Sequence, residues 1–455
     1  MGKRSWRISN SAAAQKNMQT YEIESLDQEG RGIARRDGKT IFIEGALTGE
    51  VVTASIYRKK ASYENAHVQT ILQASSQRVT PRCVNFGNCG GCSLQHLEPR
   101  AQVAAKQRVL EDNLWHIGKV RAGHMLPPIH GPSWGYRRRA RMTARYVIKK
   151  GGSLIGFHEK RSSFVADMQS CEVMPPGISK LLPLLRVLVG NLSIRERMPQ
   201  IEIACGDTAD VLVFRVLEPP TEDDKALLKS FAETHGVHVY LQPKGPETAH
   251  PLWPAAPADL HYTLPEFDIK MPFFPTEFTQ VNHEVNRVLV HRALVLLAPQ
   301  PGERVADMFC GIGNFSLPIA RSGAHVLGIE GSASLVRRAA ENAAFNGLQN
   351  HAQYQAMNLF EITGETYAAL CEHGPFNRML IDPPRDGAMA LVKSLCGGHG
   401  ATPPARIVYV SCNPSTLARD AEVLVHEQGY TLTAAGVVNM FPHTAHVESI
   451  AVFDR

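Results

Sequence analysis

The segment VYVSCNP, residues 408–414, places a cysteine where a predicted strand gives way to a loop. The apolar run VYV predicts a buried strand, and Asn413-Pro414 predicts its end. A structural cysteine usually lies in the core, whereas a reactive one lies on a loop held by a rigid strand. The position of Cys412 therefore indicates a nucleophilic thiolate, with a core cysteine as the alternative.

One reaction that needs such a thiolate is the methylation of uracil at carbon. C5 of uracil is a poor nucleophile, but thiolate addition to C6 produces an enolate whose C5 accepts a methyl group. A base must then remove the C5 proton so that elimination releases the cysteine. In FPHTAHVESI, residues 441–450, the candidates for this base are Glu448 and the neighbouring His443 and His446.

Two further strand ends predict a cofactor site. DMFCGIGNF, residues 307–315, has the strand–turn–helix form of a nucleotide-binding loop but lacks the third glycine of a dinucleotide fingerprint. Glu330 ends the next predicted strand, where an acid accepts hydrogen bonds from ribose hydroxyls. Asp382 precedes two prolines that stiffen a third loop. This pattern predicts an adenosine cofactor without a pyrophosphate, of which S-adenosylmethionine is the common example.

A cysteine-rich segment predicts a metal site. Cys83, Cys89 and Cys92 have the spacing C-x5-C-x2-C, and Cys171 is a distant fourth. Four thiolates hold either a tetrahedral zinc ion or a [4Fe–4S] cluster. The spacing does not choose between the two, and scattered structural cysteines are the alternative.

The elements that must position these groups divide the chain into regions. After about residue 276, alternating strands and helices predict an α/β catalytic domain, 276–455, with a doubly wound parallel sheet. Short strands and Gly-rich turns predict a β-barrel over 19–74. A β-rich central domain is expected over 75–275, with a helix near 177–192, and a disordered basic tail over 1–18. The Pro-rich stretch at 244–258 receives no role.

Charge and hydropathy restrict the partners. The 455 residues carry a net charge of only +5, but nine basic residues against one acid lie between 137 and 161. Such a concentration predicts a nucleic-acid partner. We expect a cytoplasmic protein, because no apolar run is long enough for a membrane span and the N-terminus lacks a secretory signal.

The motifs FTQVN, DMFCGIGNFSLPIA, IDPPRDGA, VYVSCNPSTLARD and FPHTAHVES together resemble the RNA uracil-C5 methyltransferase family, in order and in spacing. The resemblance implies a Rossmann-like S-adenosylmethionine-dependent domain in which Cys412 is the nucleophile and Glu448 the base. It also implies six residues that hold S-adenosylmethionine: Gln280, Phe309, Asn314, Glu330, Asn358 and Asp382.

The N-terminal half resembles one branch of this family. GRGIARRDGKTIFIEGALTGE is similar to a TRAM domain, an RNA-binding β-barrel, and the branch that combines this barrel with the cysteines methylates 23S ribosomal RNA. The resemblance favours a [4Fe–4S] cluster and favours Cys171 over Cys205 as its fourth ligand. It also suggests that residues 102–133 pack on the catalytic domain. We expect a monomer that acts on a uridine flipped out of a single-stranded or refolded loop.

Three other functions fit the sequence less well. A cytosine-C5 RNA methyltransferase would carry a second cysteine after the fourth strand, where the chain has DPPRDG. An exocyclic-amine methyltransferase would have an aromatic residue in place of Arg385. An RNA-binding or RNA-folding module with secondary catalysis would not need Cys412 together with Glu448.

Overall fold

The computed structural model describes residues 19–395 and 402–455, which form three sheets and a separate hairpin. The predicted tail, 1–18, lies outside the described residues. Within the described ranges, no helix combines the length and the apolar character that a membrane span requires.

The N-terminal sheet has six strands. They are β1 (Gln19–Glu22), β2 (Ser25–Leu26), β3 (Gly32–Arg36), β4 (Lys39–Glu44), β5 (Val51–Lys59) and β6 (Tyr63–Gln73). Their order is β1-β5-β6-β4-β3-β2, and all pairs are antiparallel except β4 with β6. Alternation along β4 buries Ile41 and Ile43 in one small core. The buried carboxylate of Glu50 accepts hydrogen bonds from Arg78 and so joins this sheet to the cysteine-rich segment.

Helix α1 (Pro99–His116) and the short strand β7 (His124–Met125) follow the cysteines. Pro99 stands at the first helical position, where its missing N–H costs nothing, and the Glu98 side chain caps the backbone N–H groups of Arg100 and Ala101.

The central region contains a second six-stranded sheet and two helices. The elements are β8 (Arg139–Val147), β9 (Gly152–Gly156), α2 (Pro176–Asn191), β10 (Gln200–Cys205), β11 (Asp210–Arg215), α3 (Glu222–His235), β12 (His238–Gln242) and β13 (His250–Trp253), followed by the hairpin of β14 (His261–Leu264) and β15 (Ile269–Pro272). The strand order is β13-β12-β11-β10-β8-β9. The expected helix near 177–192 is present as α2, but α3 is an additional helix that the sequence interpretation missed.

The basic residues of β8 alternate with buried ones, so they share one face of the central sheet. Arg141 and Arg145 are exposed there. Arg139 is different, because its side chain donates to the Glu277 carbonyl and lies near Glu202 on the adjacent strand β10. Arg141 also pairs with Glu202, at 2.9 Å. Glu202 is far from this run in sequence and reaches it only through the pairing of β8 with β10.

The C-terminal region contains an eight-stranded sheet flanked by helices. Its elements are α4 (His283–Leu297), β16 (Arg304–Met308), α5 (Ser316–Arg321), β17 (His325–Glu330), α6 (Ala333–Phe345), β18 (Ala352–Ala356), α7 (Gly364–Leu370), β19 (Arg378–Ile381), α8 (Met389–Ser394), β20 (Arg406–Ser411), α9 (Pro414–His426), β21 (Thr431–Val438) and β22 (Glu448–Asp454). The order is β18-β17-β16-β19-β20-β22-β21-β7. The first five strands are parallel, and β22 is antiparallel to both β20 and β21. Loops at the carboxyl ends of the parallel strands therefore meet at one edge, next to the start of β22.

The segment of α1 and β7 packs on this C-terminal sheet. Strand β7 pairs with the outer edge of β21, and Leu110 and Leu114 of α1 join the apolar core that includes α9. Gly118 permits the close approach, because a Cβ at this position would lie 2.4 Å from the carbonyl oxygen of Ala418. The edge strand β7 of the C-terminal sheet thus comes from a segment that precedes the central sheet in the chain.

Candidate active site

One cavity of about 520 Å³ opens at the carboxyl edge of the parallel strands, and all eight predicted catalytic and cofactor residues line it. They are Gln280, Phe309, Asn314, Glu330, Asn358, Asp382, Cys412 and Glu448. The topology accounts for this gathering, because five of them follow or end the parallel strands β16 to β20.

The glycine-rich loop after β16 is fixed by Glu330, which ends β17. One carboxylate oxygen of Glu330 accepts the N–H of Gly311 at 3.2 Å, and the other accepts the N–H of Ser332 at 3.0 Å. Gly313 has φ of +95°, a conformation that a side chain rarely adopts, and a Cβ there would lie 3.1 Å from the Tyr354 hydroxyl. Gly311 and Ile312 of this loop line the cavity.

The aromatic wall of this half of the cavity is formed by Phe309 and Phe360. Their ring centroids are 5.6 Å apart. The side chain of Asn358 accepts the N–H of Phe360 at 3.1 Å and so shapes the loop after β18. These apolar rings, next to the Glu330 carboxylate, suit a ligand with one flat apolar part and one part rich in hydroxyls.

The Asn314 side chain is bound within the protein. Its oxygen accepts hydrogen bonds from the Tyr262 hydroxyl at 2.8 Å and from Asn286 at 2.9 Å, and its nitrogen donates to the Asn286 oxygen at 3.0 Å. Asn314 thus joins the glycine-rich loop to α4 and to the hairpin. Sequence reasoning selected Asn314 but missed Tyr262 and Asn286, because no local motif marks them.

Asp382 and Cys412 lie at neighbouring strand ends. Asp382 is half-buried in the cavity wall, and desolvation raises its pKa well above the usual range, with the negative charges of Glu448 and Asp307 adding to the effect. Burial, followed by the charges of Glu448 and Asp382, raises the pKa of the Cys412 thiol to about 11. Arg385 opposes this increase. In the free protein Cys412 is therefore mainly a neutral thiol at neutral pH.

Cys412 and Glu448 face each other across two adjacent strands. The antiparallel register of β20 and β22 pairs Ser411 with Ser449, so the next position places Cys412 opposite Glu448. Opposed residues project to the same face with Cα atoms about 4.5–5.5 Å apart. The arrangement therefore places the Cys412 thiol and the Glu448 carboxyl group side by side in one cavity.

The two histidines near Glu448 occupy different environments. His446 lines the cavity, and its Nε2 lies 3.7 Å from the Glu448 carboxylate. His443 is buried, stacks on Trp134 with ring centroids 3.8 Å apart, and has its pKa lowered by burial to about 4. Of the two, only His446 has access to a ligand in the cavity.

The four predicted metal ligands line a second, smaller cavity of about 140 Å³: Cys83, Cys89, Cys92 and Cys171. Burial raises the pKa of the Cys92 thiol to about 11 and that of Cys171 to about 12. A zinc ion holds thiolates at about 2.3 Å and so brings the sulfurs within about 4 Å of each other. Within residues 19–395 and 402–455, no three His, Cys, Asp or Glu side chains are arranged to hold a metal ion.

Comparison with known families assigns two regions of the chain. Residues 264–455 match the family described as tRNA (Uracil-5-)-methyltransferase, and residues 17–68 match the TRAM domain. The second match accords with the predicted N-terminal β-barrel.

Curated relatives are similar over nearly the whole chain. A protein of Aromatoleum aromaticum named 23S rRNA (uracil(1939)-C(5))-methyltransferase RlmD is 62% identical over 433 residues, covering 95% of this chain and 99% of the relative. A protein of Burkholderia pseudomallei with the same name is 60% identical over 458 residues, covering 99% and 98%.

A solved structure shares the fold. The tRNA (uracil-54, C5)-methyltransferase of Pyrococcus abyssi, crystallised with S-adenosyl-L-homocysteine, superposes with a TM-score of 0.70 at 22% identity, covering 96% of this chain and all of that one.

Proposed function

The chain belongs to the RNA uracil-C5 methyltransferase family, and from this premise we propose that it transfers a methyl group from S-adenosylmethionine to C5 of a uridine in 23S ribosomal RNA. The observation that carries the proposal is the cross-strand pair of Cys412 and Glu448 in the same cavity as the glycine-rich loop and Glu330. The proposed substrate is also supported by curated relatives of 60–62% identity, which are named 23S rRNA methyltransferases.

In the mechanism Cys412 acts first and Glu448 acts last. The Cys412 sulfur bonds to C6, and the electrons of the C5–C6 double bond move to form an enolate with a nucleophilic C5. S-adenosylmethionine supplies the methyl group when bound. Glu448 then accepts the C5 proton, the enolate re-forms, and its collapse breaks the sulfur–C6 bond and releases the thiolate. Arg385 favours the thiolate at the start and the end of this cycle.

For the cofactor, Glu330 would accept hydrogen bonds from the ribose hydroxyls, and Phe309 and Asn358 would lie beside it. Gln280, Asp382 and the backbone near Asn314 complete the site. This assignment is supported by the open glycine loop and by the aromatic wall.

The pKa of Cys412 sets its reactivity in the free protein. Because the thiolate is the reactive form, the rate of alkylation by iodoacetamide should rise about tenfold per pH unit from pH 7 and level off only near pH 11. Glu448→Gln should move the profile to lower pH, since it removes a negative charge, and Arg385→Gln should move it to higher pH. Mass spectrometry of the Cys412 peptide measures the rate. A wild-type profile that is level between pH 7 and 9 would contradict the assignment.

We assign a [4Fe–4S] cluster to the second cavity, with Cys83, Cys89, Cys92 and Cys171 as its ligands. The support is that four thiols, two of them buried and two half-buried, line one cavity of about 140 Å³. A cluster gives the thiolates a positive centre, so that their burial does not leave uncompensated charge. Its role is structural, since it joins the segment before α1 to the central sheet.

Cys171 and Cys205 form a matched pair for testing this site. Both are buried, but Cys205 lies in β10 away from the cavity. After anaerobic purification, Cys171→Ala should lose most of its iron and acid-labile sulfide, whereas Cys205→Ala should retain both. Equal metal content in the two variants, or zinc in place of iron, would argue against the assignment.

The RNA-binding surface combines the TRAM domain with the basic face of β8. Arg141 and Arg145 are exposed there, whereas Arg139 is only partly exposed and its guanidinium donates to the Glu277 carbonyl, which makes it less available for phosphate contacts. Cys412 is half-buried and lines the cavity, so a base stacked in a helix has no access to it. We therefore propose that the target uridine is flipped out of a loop. We also propose that the protein acts as a monomer in the cytoplasm.

The decisive experiment uses a 23S fragment that carries 5-fluorouridine. Fluorine at C5 does not leave as a proton does, so wild-type protein with S-adenosylmethionine should form an adduct that survives denaturing electrophoresis. A parallel fragment with 5-fluorocytidine tests the cytosine alternative. Adduct formation only with fluorocytidine, or methylation of ordinary RNA without any adduct, would reject the proposal.

A further inference from the structure

The loop that carries Glu448 is held by a part of the chain far away in sequence. We call residues 439–447 the base strap, because they join β21 to Glu448, the first residue of β22. His443 at its centre has φ of 67°, the left-handed conformation that non-glycine residues rarely adopt. Such a conformation persists only where the surroundings enforce it.

The enforcing contacts come from the segment between the cysteines and α1, and from α1 itself. The N–H groups of Ser93 and Leu94 both donate to the His443 carbonyl, each at 2.9 Å, and the Ser93 hydroxyl accepts the N–H of Ala445 at 2.9 Å. Gln102 accepts the N–H of His443 at 2.8 Å and donates to its ring Nδ1 at 3.1 Å.

Lys106, one turn after Gln102 on α1, makes the most unusual contact. Its side chain is almost fully buried, with 2% of its surface exposed. Its ammonium donates to the Asn439 side chain at 2.7 Å and to the Phe441 carbonyl at 2.9 Å, both in the base strap. Neither acceptor is charged, and a buried lysine without a bonded carboxylate is unfavourable. Burial lowers the pKa of Lys106 to about 7, and the nearby charge that opposes this decrease and favours the ammonium is that of Glu448.

We propose that Lys106 is a positioning residue for the base: its ammonium anchors the base strap and attracts the Glu448 carboxylate that receives the C5 proton. This inference rests on the proposed function and adds a residue to its proton-abstraction step. Lys106 does not line the active-site cavity, so it acts through the strap and through its charge.

The charges around Glu448 determine the sign of the effect. His446 lies 3.7 Å from it, and Asp382 and Cys412 interact with its charge unfavourably when they ionise. Lys106 itself faces Glu448 and the neutral His443. Without the ammonium, the Glu448 carboxylate would keep its acidic neighbours and lose the buried cation that attracts it.

The test compares Lys106→Met with Arg108→Met, a charge removal on the exposed side of the same helix. Turnover of Lys106→Met on ordinary RNA should fall on the order of tenfold at neutral pH. Because attack and methyl transfer precede proton abstraction, its RNA should accumulate as a covalent adduct, and the acid limb of its turnover profile should move to higher pH. Arg108→Met should match the wild type in all three measurements, and S-adenosylhomocysteine should bind every variant equally.

Asn439→Leu is measured alongside, because it keeps the lysine and removes its side-chain acceptor. It should accumulate adduct to a smaller extent. If turnover and adduct fall in parallel in both variants, with an unchanged pH profile, the inference is overturned, because that is the behaviour of a purely structural contact. Failure of the wild type to form the 5-fluorouridine adduct would instead overturn the proposed function.

Discussion

Replacing Glu448 with glutamine should leave the protein covalently attached to ordinary, unsubstituted RNA. Attack by Cys412 and methyl transfer need only the thiolate and the methyl donor, whereas release needs a base for the C5 proton. Glutamine keeps the shape of the side chain but cannot accept a proton. We expect turnover to fall by about 10²–10⁴-fold, the usual contribution of a general base, while methylated RNA accumulates as a stable adduct on denaturing gels.

His446→Gln distinguishes the two bases that the cavity offers. His446 lines the same cavity 3.7 Å from Glu448, so it is the histidine that could take the proton. His443 cannot, because its ring is enclosed by Gln102 and Trp134. If His446→Gln accumulates the adduct and Glu448→Gln turns over normally, the base is the histidine.

Replacing Cys412 with alanine should abolish methylation at uridine. Without the sulfur–C6 bond no enolate forms, so C5 cannot attack the methyl donor. Among the described residues, the other cysteine that lines the cavity is Cys310, and it is buried. We expect methyl incorporation to fall by on the order of 10⁴-fold or more, as when a covalent nucleophile is removed from other enzymes. Radiolabelled methyl transfer to a 23S fragment measures the loss.

Cys371→Ala is the matched control for this variant, because Cys371 is a half-buried thiol away from the cavity. It should methylate at the wild-type rate. Binding of S-adenosylhomocysteine to Cys412→Ala should be at least as tight as to the wild type, since no charge is lost at neutral pH. Substantial methylation by Cys412→Ala would return Cys412 to the role of a core cysteine.

Sequence reasoning located the cavity because its residues follow parallel strands, whose ends must meet. Cys412 and Glu448 were selected separately, by residue type and by resemblance, and their direct opposition depends on an antiparallel register that no local motif encodes. Lys106 could not be found this way, because its partners lie over 330 residues away in the chain. Helix α3 was missed although Thr221 and Asp224 form a capping box and Gly236 ends it, since the surrounding strand signals dominated.

Strand β7 has a consequence for how the protein forms during synthesis. Residues 124–125 are translated long before β21, residues 431–438, to which they pair. Until α9 and β21 emerge from the ribosome, the apolar face of α1 lacks these partners, and closing so long a loop is entropically costly. A fragment that begins at the catalytic motifs would likewise expose the edge of β21, and an exposed edge strand favours association between copies. The catalytic domain therefore becomes complete only when its earliest and latest translated elements meet.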